Sequence, residues 1–456
     1  MSPIRYSYRV DSSGCVWSRA GGEWIESGKL SLDAVRTTLW VGPFNRSSRD
    51  LLRVMGSVLA ADRLSPRKLP RAPRGVQWQR ALEVSIGAED PDRWIACADQ
   101  LTHLLCFMTD DAWDLSFELA RPPAVQQLLN PPLFEQELEV ALFSGGLDSV
   151  AGACARGRER RILAVSACGN EVRGRAQSAA LDGLRRLGTR AESLKFAHQL
   201  RSARRKRSQL ESSQRSRGLL FLAMGAATAS HVAAPTFSVY ETGVGCINLP
   251  MTAAQVGAEG TRAMHPHTLG LFAALVQQVL DRPVDVLAPF LLQTKGELCA
   301  KSGADLSALA ALTMSCDEGE GHKPDSMEHC GLCTSCLFRR IAIWNAIGRD
   351  PTSYRDTIMR RHGNYELCAF DVHAAELAEC KTLPDLLALQ PDLRLALRSP
   401  PFAAMSGSGA GEAVLTMYQR YAREIRNFLE QSAPEIAPLA RKQSKEVARA
   451  LFAAAR

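Results

Sequence analysis

EVALFSGGLDSV, at residues 139–150, joins a short apolar run to a turn rich in glycine, serine and aspartate. Small, helix-compatible residues follow at 151–155. This order predicts a buried strand, a tight loop and the N-terminus of a helix. Gly145 and Gly146 lack Cβ atoms, so the backbone N–H groups of the loop can approach a ligand closely. The first helical turn adds unpaired N–H groups at the positive end of the helix dipole, so the loop fits an anion such as phosphate.

Polar side chains of this loop suggest a nucleotide with its metal ion. Ser144 and Ser149 add hydroxyl donors, whereas the Asp148 carboxylate repels phosphate unless a cation lies between them. We therefore expect Asp148 to hold Mg²⁺, directly or through water. The alternative is a hairpin turn at the two glycines and a helix N-cap at Asp148 or Ser149. The predicted nucleotide-binding residues are Ser144, Gly145, Gly146, Leu147, Asp148 and Ser149.

The pattern SGGxDS resembles the PP-loop of the N-type ATP pyrophosphatases. These enzymes have an adenine nucleotide alpha hydrolase-like fold. The resemblance implies that ATP is cleaved between its α- and β-phosphates, that a carboxylate or carbonyl oxygen is adenylated, and that pyrophosphate is released. The loop is not a Walker A motif, because no Gly-Lys-Ser/Thr follows at the required spacing.

Length and composition favour a soluble cytoplasmic protein of two or three domains. The chain has 456 residues, of which 46% are hydrophobic and 23% charged. We find neither an apolar run long enough to span a membrane nor a secretory signal. The 13 cysteines are an odd number, which favours a reducing compartment over a disulfide framework. The net charge of +7 is explained by solvated surface, or by attraction to polyphosphate, nucleic acid or an acidic partner.

The chain divides into three predicted regions. Residues 1–133 are predicted to form an N-terminal α+β accessory domain with a hairpin near 14–32. Residues 134–345 alternate strands and helices, which predicts an α/β fold with a doubly wound parallel sheet and its ligand at the carboxyl ends of the strands. Residues 346–456 are predicted to be helical, with a turn-rich segment at 391–401. The predicted strands are 37–41, 78–86, 113–117, 138–143, 162–167, 191–196, 236–241 and 284–289, and the helices 49–61, 91–107, 176–187, 218–230, 269–280, 413–431 and 437–455.

Four cysteines form a second motif. Cys316 is followed by Cys330, Cys333 and Cys336, the last three spaced as C-x2-C-x2-C. Four thiolates can surround one Zn²⁺ tetrahedrally, and the absence of an open position predicts a structural metal. The alternative is a set of ordinary buried cysteines. His322 and His329 lie within the span and could replace one ligand.

The two motifs together carry a narrower resemblance, over roughly residues 138–344. SGGLDS followed by SC and CGLCTSC is similar to the 7-cyano-7-deazaguanine synthase (QueC) family. That family uses ATP to convert 7-carboxy-7-deazaguanine into the nitrile, and it carries a four-cysteine zinc site. The resemblance implies catalytic roles for Asp148, for Lys295 in TKGEL and for Arg215 in QRSRGLLF. Arg217 would bind phosphate or the substrate carboxylate. Both arginines are equally well explained as solvated surface.

The substrate region departs from that family. Biosynthetic members carry a Tyr-Pro-Asp-Cys-Arg-like segment, whereas this chain has ETGVGCINLP at 241–250 and RAMHPH at 262–267. With its terminal extensions, the chain looks more like the QueC-like components of Qat and CBASS antiphage systems. We predict that Asn248, His265 and His267 contact the substrate. The two histidines are equally well explained as structural loop residues.

The resemblance implies ATP, Mg²⁺ and Zn²⁺ as cofactors and a 7-deazapurine carboxylate as substrate. We expect the carboxylate to be adenylated and coupled to an amine, by nitrile formation or by conjugation to a partner protein, in antiviral defence. Alternatives are a housekeeping synthase, a tRNA-modifying thiolase or amidotransferase, and a non-catalytic nucleotide-binding scaffold. A thiolase would need a cysteine pair outside the zinc cluster, and Cys154, Cys168 and Cys246 lack such spacing. Nucleic acid is allowed as a partner but not required.

Overall fold

The structure is a computed structural model, and its described strands form a single large sheet. It describes residues 3–36, 43–67, 79–121, 138–169, 171–204, 206, 209–213, 215–251, 262–317, 328–355, 365–403, 405 and 409–432. The predicted strand 37–41 and the predicted helix 437–455 lie outside these residues.

Ten described strands form this sheet in the order β10-β9-β6-β7-β8-β3-β2-β1-β4-β5. The strands are β1 (Ile4–Val10), β2 (Cys15–Ala20), β3 (Glu23–Arg36), β4 (Arg80–Ala88), β5 (Ala112–Leu119), β6 (Leu138–Leu142), β7 (Arg161–Cys168), β8 (Ala191–Ser202), β9 (Thr236–Ser238) and β10 (Asp285–Leu287). The five strands from β10 to β8 pair in parallel. The predicted α/β fold with a parallel sheet is therefore confirmed for this half, while the sheet as a whole is mixed.

Sixteen α-helices are described in the same ranges. They are α1 (Arg46–Leu64), α2 (Pro91–Ala96), α3 (Ala98–Thr109), α4 (Leu147–Arg156), α5 (Glu171–Arg186), α6 (Arg217–His231), α7 (Gly243–Ile247), α8 (Pro266–Val279), α9 (Lys295–Lys301), α10 (Leu306–Ala310), α11 (Thr334–Ile347), α12 (Tyr365–Glu379), α13 (Leu383–Leu389), α14 (Leu393–Leu397), α15 (Pro400–Ala403) and α16 (Gly409–Ser432). The helical C-terminal region is confirmed. Within the described ranges, no helix combines the length and apolarity that a membrane span requires.

Helices cover both faces of the parallel half. Successive side chains of a strand point to opposite faces. Accordingly, Val140 and Leu163 belong to the core that includes α6 and α8, whereas Ala141 and Ile162 belong to the core that includes α4 and α5. Burial on both faces explains the apolar runs at 140–143 and 162–165, which include most of β6 and the centre of β7.

The N-terminal strands extend the same sheet. β3 pairs antiparallel with β8, with Leu32 opposite His198. β8 therefore runs to Ser202, beyond its predicted end at 196, because the pairing with β3 continues along it. The domain boundary at 133/134 stays a prediction.

A buried ion network joins the N-terminal region to α6. The fully buried Arg80 pairs with Asp62 and Asp111, each at 2.6 Å. Ser216, just before α6, donates its hydroxyl to Asp62 at 2.6 Å. Loss of one member would leave a buried charge uncompensated, so this network fixes how the two halves of the sheet pack.

Two local predictions were wrong. The predicted helix at 91–107 is broken at Cys97, so that α2 and α3 are separate helices. The predicted turn-rich segment at 391–401 contains the short helix α14 and the first residues of α15, whose apolar side chains pack into the C-terminal core.

Candidate functional site

The loop between β6 and α4 lies at the carboxyl edge of the parallel strands. Phe143 N–H donates to Val165 O at 2.8 Å, which holds the start of the loop on the sheet. Gly145 has a φ of +76°, a conformation that L side chains rarely adopt. A Cβ at this position would also lie 3.0 Å from the Gln177 side chain. Glycine is therefore needed here for both conformation and space, and the predicted strand, loop and helix are present.

Hydroxyl groups close the loop on itself. Ser149 Oγ donates to Gly146 O at 3.0 Å and lies 3.2 Å from Ser144 Oγ. Gly146 N–H donates to Ser144 Oγ at 3.2 Å. Ser144 is exposed at the mouth of the loop. The loop is thus preshaped, with backbone N–H and hydroxyl donors close together.

Lys295 and Asp148 form an ion pair next to this loop. Lys295 Nζ lies 2.7 Å from Asp148 Oδ2, and the two residues belong to the first turns of α9 and α4. A capping box between Thr294 and Glu297 fixes the start of α9. Burial lowers the pKa of Lys295, but the carboxylates of Asp148 and Glu241 outweigh it, so the pKa lies above its usual value. Lys295 is therefore a fixed positive charge beside the loop.

Glu241 is a site residue that the sequence prediction missed. Its carboxyl lies against Asp148, and burial followed by this neighbour raises its pKa well above the usual range. Gly245 makes room for it, because a Cβ there would clash with the Glu241 carboxylate. Asp148 Oδ1 is buried and has no hydrogen-bond partner among the described residues. Two adjoining carboxyls and an unpartnered oxygen suit a divalent cation such as Mg²⁺, which takes oxygen ligands.

Arg215 and Arg217 contact the helices α3 and α6. Arg215 is buried and pairs with Asp110 at 2.6 Å, where it joins the end of α3 to the start of α6. The guanidinium of Arg217 lies over the Phe221 ring, 5.4 Å from its centroid. Neither arginine lines the two cavities described next.

Two adjoining cavities open beside Lys295. The smaller, about 270 Å³, is lined by Glu241, Lys295 and Asn248 among others. The larger, about 610 Å³, shares Asn248, Phe338 and Tyr421 with it. Asn248 has a φ of +50°, which asparagine tolerates better than most residues. The structure thus places one predicted substrate residue on the wall of both cavities.

The two predicted histidines have different surroundings. His265 lines the larger cavity, and its Nδ1 accepts a hydrogen bond from His267 N–H at 3.1 Å, which caps α8. Burial, helped by His267 and Arg262, lowers the pKa of His265 to about 4, so the ring is neutral at pH 7. His267 packs against the Phe107 ring at 4.8 Å and does not line the cavity.

The four predicted cysteines converge. Their sulfur atoms all lie within 4.8 Å of one another. Cys330 Sγ and Cys336 Sγ are 3.8 Å apart, and four ligands about 2.3 Å from a tetrahedral Zn²⁺ stand about 3.8 Å apart. Backbone N–H groups of Cys330 and Cys333 point at the sulfurs of Cys316 and Cys330, at 3.4 and 3.3 Å, as suits thiolates. The cluster could hold a metal ion, and its thiolates suit zinc.

His329, considered as a replacement ligand, is not part of this cluster. His329 Nε2 accepts a hydrogen bond from Ser315 N–H at 3.2 Å. His322 lies outside the described residues.

The segment before the cysteine cluster supports the nucleotide loop. Met314 N–H donates to Gly145 O at 3.1 Å, and Leu147 N–H donates to Ser315 Oγ at 3.3 Å. The buried Arg339 holds this segment by donating to Thr313 Oγ1 at 2.6 Å. A metal at the cysteines would therefore also stabilise the loop.

The C-terminal helix α16 contacts the helix that carries Lys295. Thr294 Oγ1 donates to the Glu424 carboxylate, and a Cβ on Gly296 would lie only 2.5 Å from Glu424 Oε1. Arg420 Nε lies 2.5 Å from Glu297 Oε1. Burial raises the pKa of Glu424 to about 7. The C-terminal region thus borders the site directly.

The fold and this loop define an α/β protein with a PP-loop-type site at the carboxyl edge of its sheet. Comparison with known families gives a narrower result: the model of the queuosine biosynthesis protein QueC matches residues 239–346. This segment of the chain is therefore similar to QueC. The match includes Glu241, Lys295 and the four cysteines, whereas the loop at 144–149 lies outside it.

Curated relatives agree with this result. A 7-cyano-7-deazaguanine synthase from Brucella anthropi is 34% identical over 93 residues, which are 20% of this chain and 37% of the relative. The enzymes of the same name from Brucella ovis and Brucella canis are each 36% identical over 93 residues, with the same coverage. The chain spans little more than a third of the length of these relatives. Its N-terminal and C-terminal regions have to be interpreted from the structure itself.

Proposed function

We propose that this chain is an ATP-dependent enzyme that adenylates the carboxylate of a 7-deazaguanine-type substrate and couples it to an amine. The observation that carries the proposal is the meeting of three charged groups beside an anion-binding loop. Asp148 follows β6, Glu241 follows β9 and Lys295 opens α9. Glu241 and Lys295 line a cavity of about 270 Å³, and Asp148 pairs with Lys295 at 2.7 Å. Ligands of such sheets bind at this edge.

The residues divide the chemistry between them. The N–H and hydroxyl groups of 144–149 bind the phosphates of ATP. Asp148 and Glu241 would hold Mg²⁺, which when bound neutralises phosphate charge. A carboxylate oxygen of the substrate attacks the α-phosphorus, the bond to the β-phosphate oxygen breaks, and pyrophosphate leaves. Lys295 stabilises the charge that develops on the leaving group.

An amine then attacks the acyl carbon of the adenylate, and AMP leaves while the amine loses a proton to water or a base. With ammonia the product is an amide, and a second activation by ATP gives the nitrile, as a housekeeping synthase would require. With an amine on a protein the product is a conjugate. We favour a partner protein, because the substrate segment 241–250 departs from the biosynthetic pattern and extra regions border the cavity. The resemblance to antiphage components makes antiviral defence the proposed setting.

A pyrophosphate-release assay with 7-carboxy-7-deazaguanine tests the core of this proposal. Wild-type protein should release pyrophosphate and AMP only when the carboxylate is present. Asp148→Asn should abolish release, while Asp182→Asn, at an exposed position on α5, should leave it unchanged. ADP and phosphate as products would contradict the PP-loop assignment. Nucleotide binding without turnover would indicate a scaffold subunit.

The acceptor is tested by intact-mass spectrometry of candidate partner proteins after co-expression. An increase in the mass of one partner, absent with Asp148→Asn, is the expected result. Efficient nitrile formation from ammonia, with no mass increase on any partner, would show that the protein acts as a biosynthetic 7-cyano-7-deazaguanine synthase.

A further inference from the structure

Three buried polar side chains from the C-terminal helices line the larger cavity. They are His373 of α12 and Tyr418 and Tyr421 of α16, which are 2%, 1% and 3% exposed. Among the described residues, no hydrogen-bond partner is found for His373 Nδ1 or for either tyrosine hydroxyl. Buried polar groups in proteins are nearly always hydrogen-bonded. Three such groups around one cavity point to a ligand that supplies the missing partners.

The charges around this cavity identify the class of ligand. Burial lowers the pKa of His373 to about 4, so its ring is neutral at pH 7. Burial raises the pKa of both tyrosines well above the usual range, so they stay protonated. Arg262 is paired with Asp110 at 2.6 Å. These groups offer neutral donors and acceptors rather than positive charge, which disfavours a phosphate chain.

Asp317 and Asp392, which line the same cavity, are acidic, whereas the carboxylate of Asp110 is already paired with Arg215 and Arg262. Carboxylates attract groups that carry N–H donors. The aromatic rings of Phe107 and Phe338 form part of the wall, and the Phe338 and Tyr421 rings are stacked with centroids 5.9 Å apart. Apolar walls with a few placed polar groups are typical of small-molecule sites of about 300–1,000 Å³. The lining thus suits a neutral, planar heterocycle with N–H groups.

We propose that the larger cavity binds the deazapurine ring of the substrate, and that Tyr418, Tyr421 and His373 hydrogen-bond to it. The assignment of this ring rests on the proposed function. Because the two cavities share Tyr421 and Asn248, a ring in the larger one can direct its carboxylate towards Lys295 in the smaller. The three side chains lie beyond the QueC match at 239–346, so the C-terminal helices determine specificity for the ring.

Calorimetric titration of the full-length protein with 7-carboxy-7-deazaguanine, without ATP, tests this assignment. Tyr418→Phe and Tyr421→Phe should each raise Kd about tenfold, because each removes one hydrogen bond to the ring. Neither variant should melt at a lower temperature than wild type, since the lost hydroxyl has no hydrogen-bond partner among the described residues. Tyr8→Phe is the matched control: its buried hydroxyl donates to Leu64 O at 2.9 Å, so it should lower the melting temperature and leave Kd unchanged.

The outcomes separate this inference from the proposed function. An unchanged Kd in the double variant Tyr418→Phe/Tyr421→Phe would overturn the inference, whether or not pyrophosphate is released. Ring binding that depends on the tyrosines, in a protein that releases no pyrophosphate, would support the inference and refute the proposed function. A wild-type protein that binds neither 7-carboxy-7-deazaguanine nor guanine would overturn the inference as well.

Discussion

Replacing Glu424 by glutamine should stabilise the protein above neutral pH. The carboxyl is largely buried between α16 and the start of α9, and burial raises its pKa from 4.5 to about 7, against the opposing effect of its hydrogen bond from Thr294. Because the pKa is higher in the folded than in the unfolded chain, the folded state binds more protons between about pH 4.5 and 7. Stability therefore falls as pH rises through this window, and the penalty is complete above pH 7.

The size of the effect follows from the two pKa values. They differ by about 2.5, and each pH unit corresponds to about 1.4 kcal/mol, so the upper bound lies between about 3 and 4 kcal/mol. Partial exposure of Glu424 lowers this to on the order of 2 kcal/mol. Glutamine keeps an oxygen that can accept from Thr294 Oγ1, so the substitution removes the charge and little else.

Urea unfolding at pH 5, 6, 7 and 8 measures this effect. The difference in unfolding free energy between Glu424→Gln and wild type should be near its minimum at pH 5 and should grow by on the order of 2 kcal/mol up to pH 8. Glu412→Gln, at an exposed position on the same helix, should show no such pH dependence. The reasoning fails if Glu424→Gln is shifted equally at every pH, or if it is less stable than wild type at pH 8.

Three further predictions concern the site. Elemental analysis should find one zinc per chain. The Cys333→Ser variant should lose this zinc and melt at a lower temperature, whereas the control Cys15→Ser should keep both its zinc and its melting temperature. Well-folded protein without zinc would exclude the metal. The Lys295→Met variant should lower kcat for pyrophosphate release about 10²–10³-fold. The control Lys381→Met, at an exposed position, should have the wild-type kcat. An unchanged kcat in Lys295→Met would show that Lys295 takes no part in catalysis. Glu241→Gln should raise the Mg²⁺ concentration for half-maximal rate, and an unchanged requirement would exclude Glu241 from the metal site.

Features that depend on neighbouring residues were predictable from the sequence. The apolar run, two glycines and following aspartate fix a strand, a loop and a helix within about a dozen residues, and Gly145 indeed has a positive φ. The spacing of Cys330, Cys333 and Cys336 places three sulfurs close together, and only Cys316 has to arrive from farther along the chain. Such signals are local, because backbone conformation and short spacing determine them.

Features that depend on distant segments were not predictable. Arg215 lies in a segment that resembles a phosphate-binding one. It pairs with Asp110, which lies 105 residues earlier in the chain, and so it links the end of α3 to the start of α6. Glu241 is an exception, because it sits at the predicted end of a strand and the rule that ligands bind at strand ends could have identified it. Tyr418 and Tyr421 read as ordinary core positions of an amphipathic helix. Only the packing of α16 against α12 and α11 places them at the cavity.

The central claim is that the substrate carboxylate attacks the α-phosphate of ATP, and oxygen-18 tests it most directly. The full-length protein is incubated with Mg·ATP, an amine source and 7-carboxy-7-deazaguanine labelled with ¹⁸O in its carboxylate, and the phosphorus products are analysed by mass spectrometry. The account predicts one ¹⁸O atom in each AMP formed, no label in pyrophosphate, and no labelled AMP with Asp148→Asn. Label in inorganic phosphate together with ADP, or AMP that carries no ¹⁸O, would contradict it.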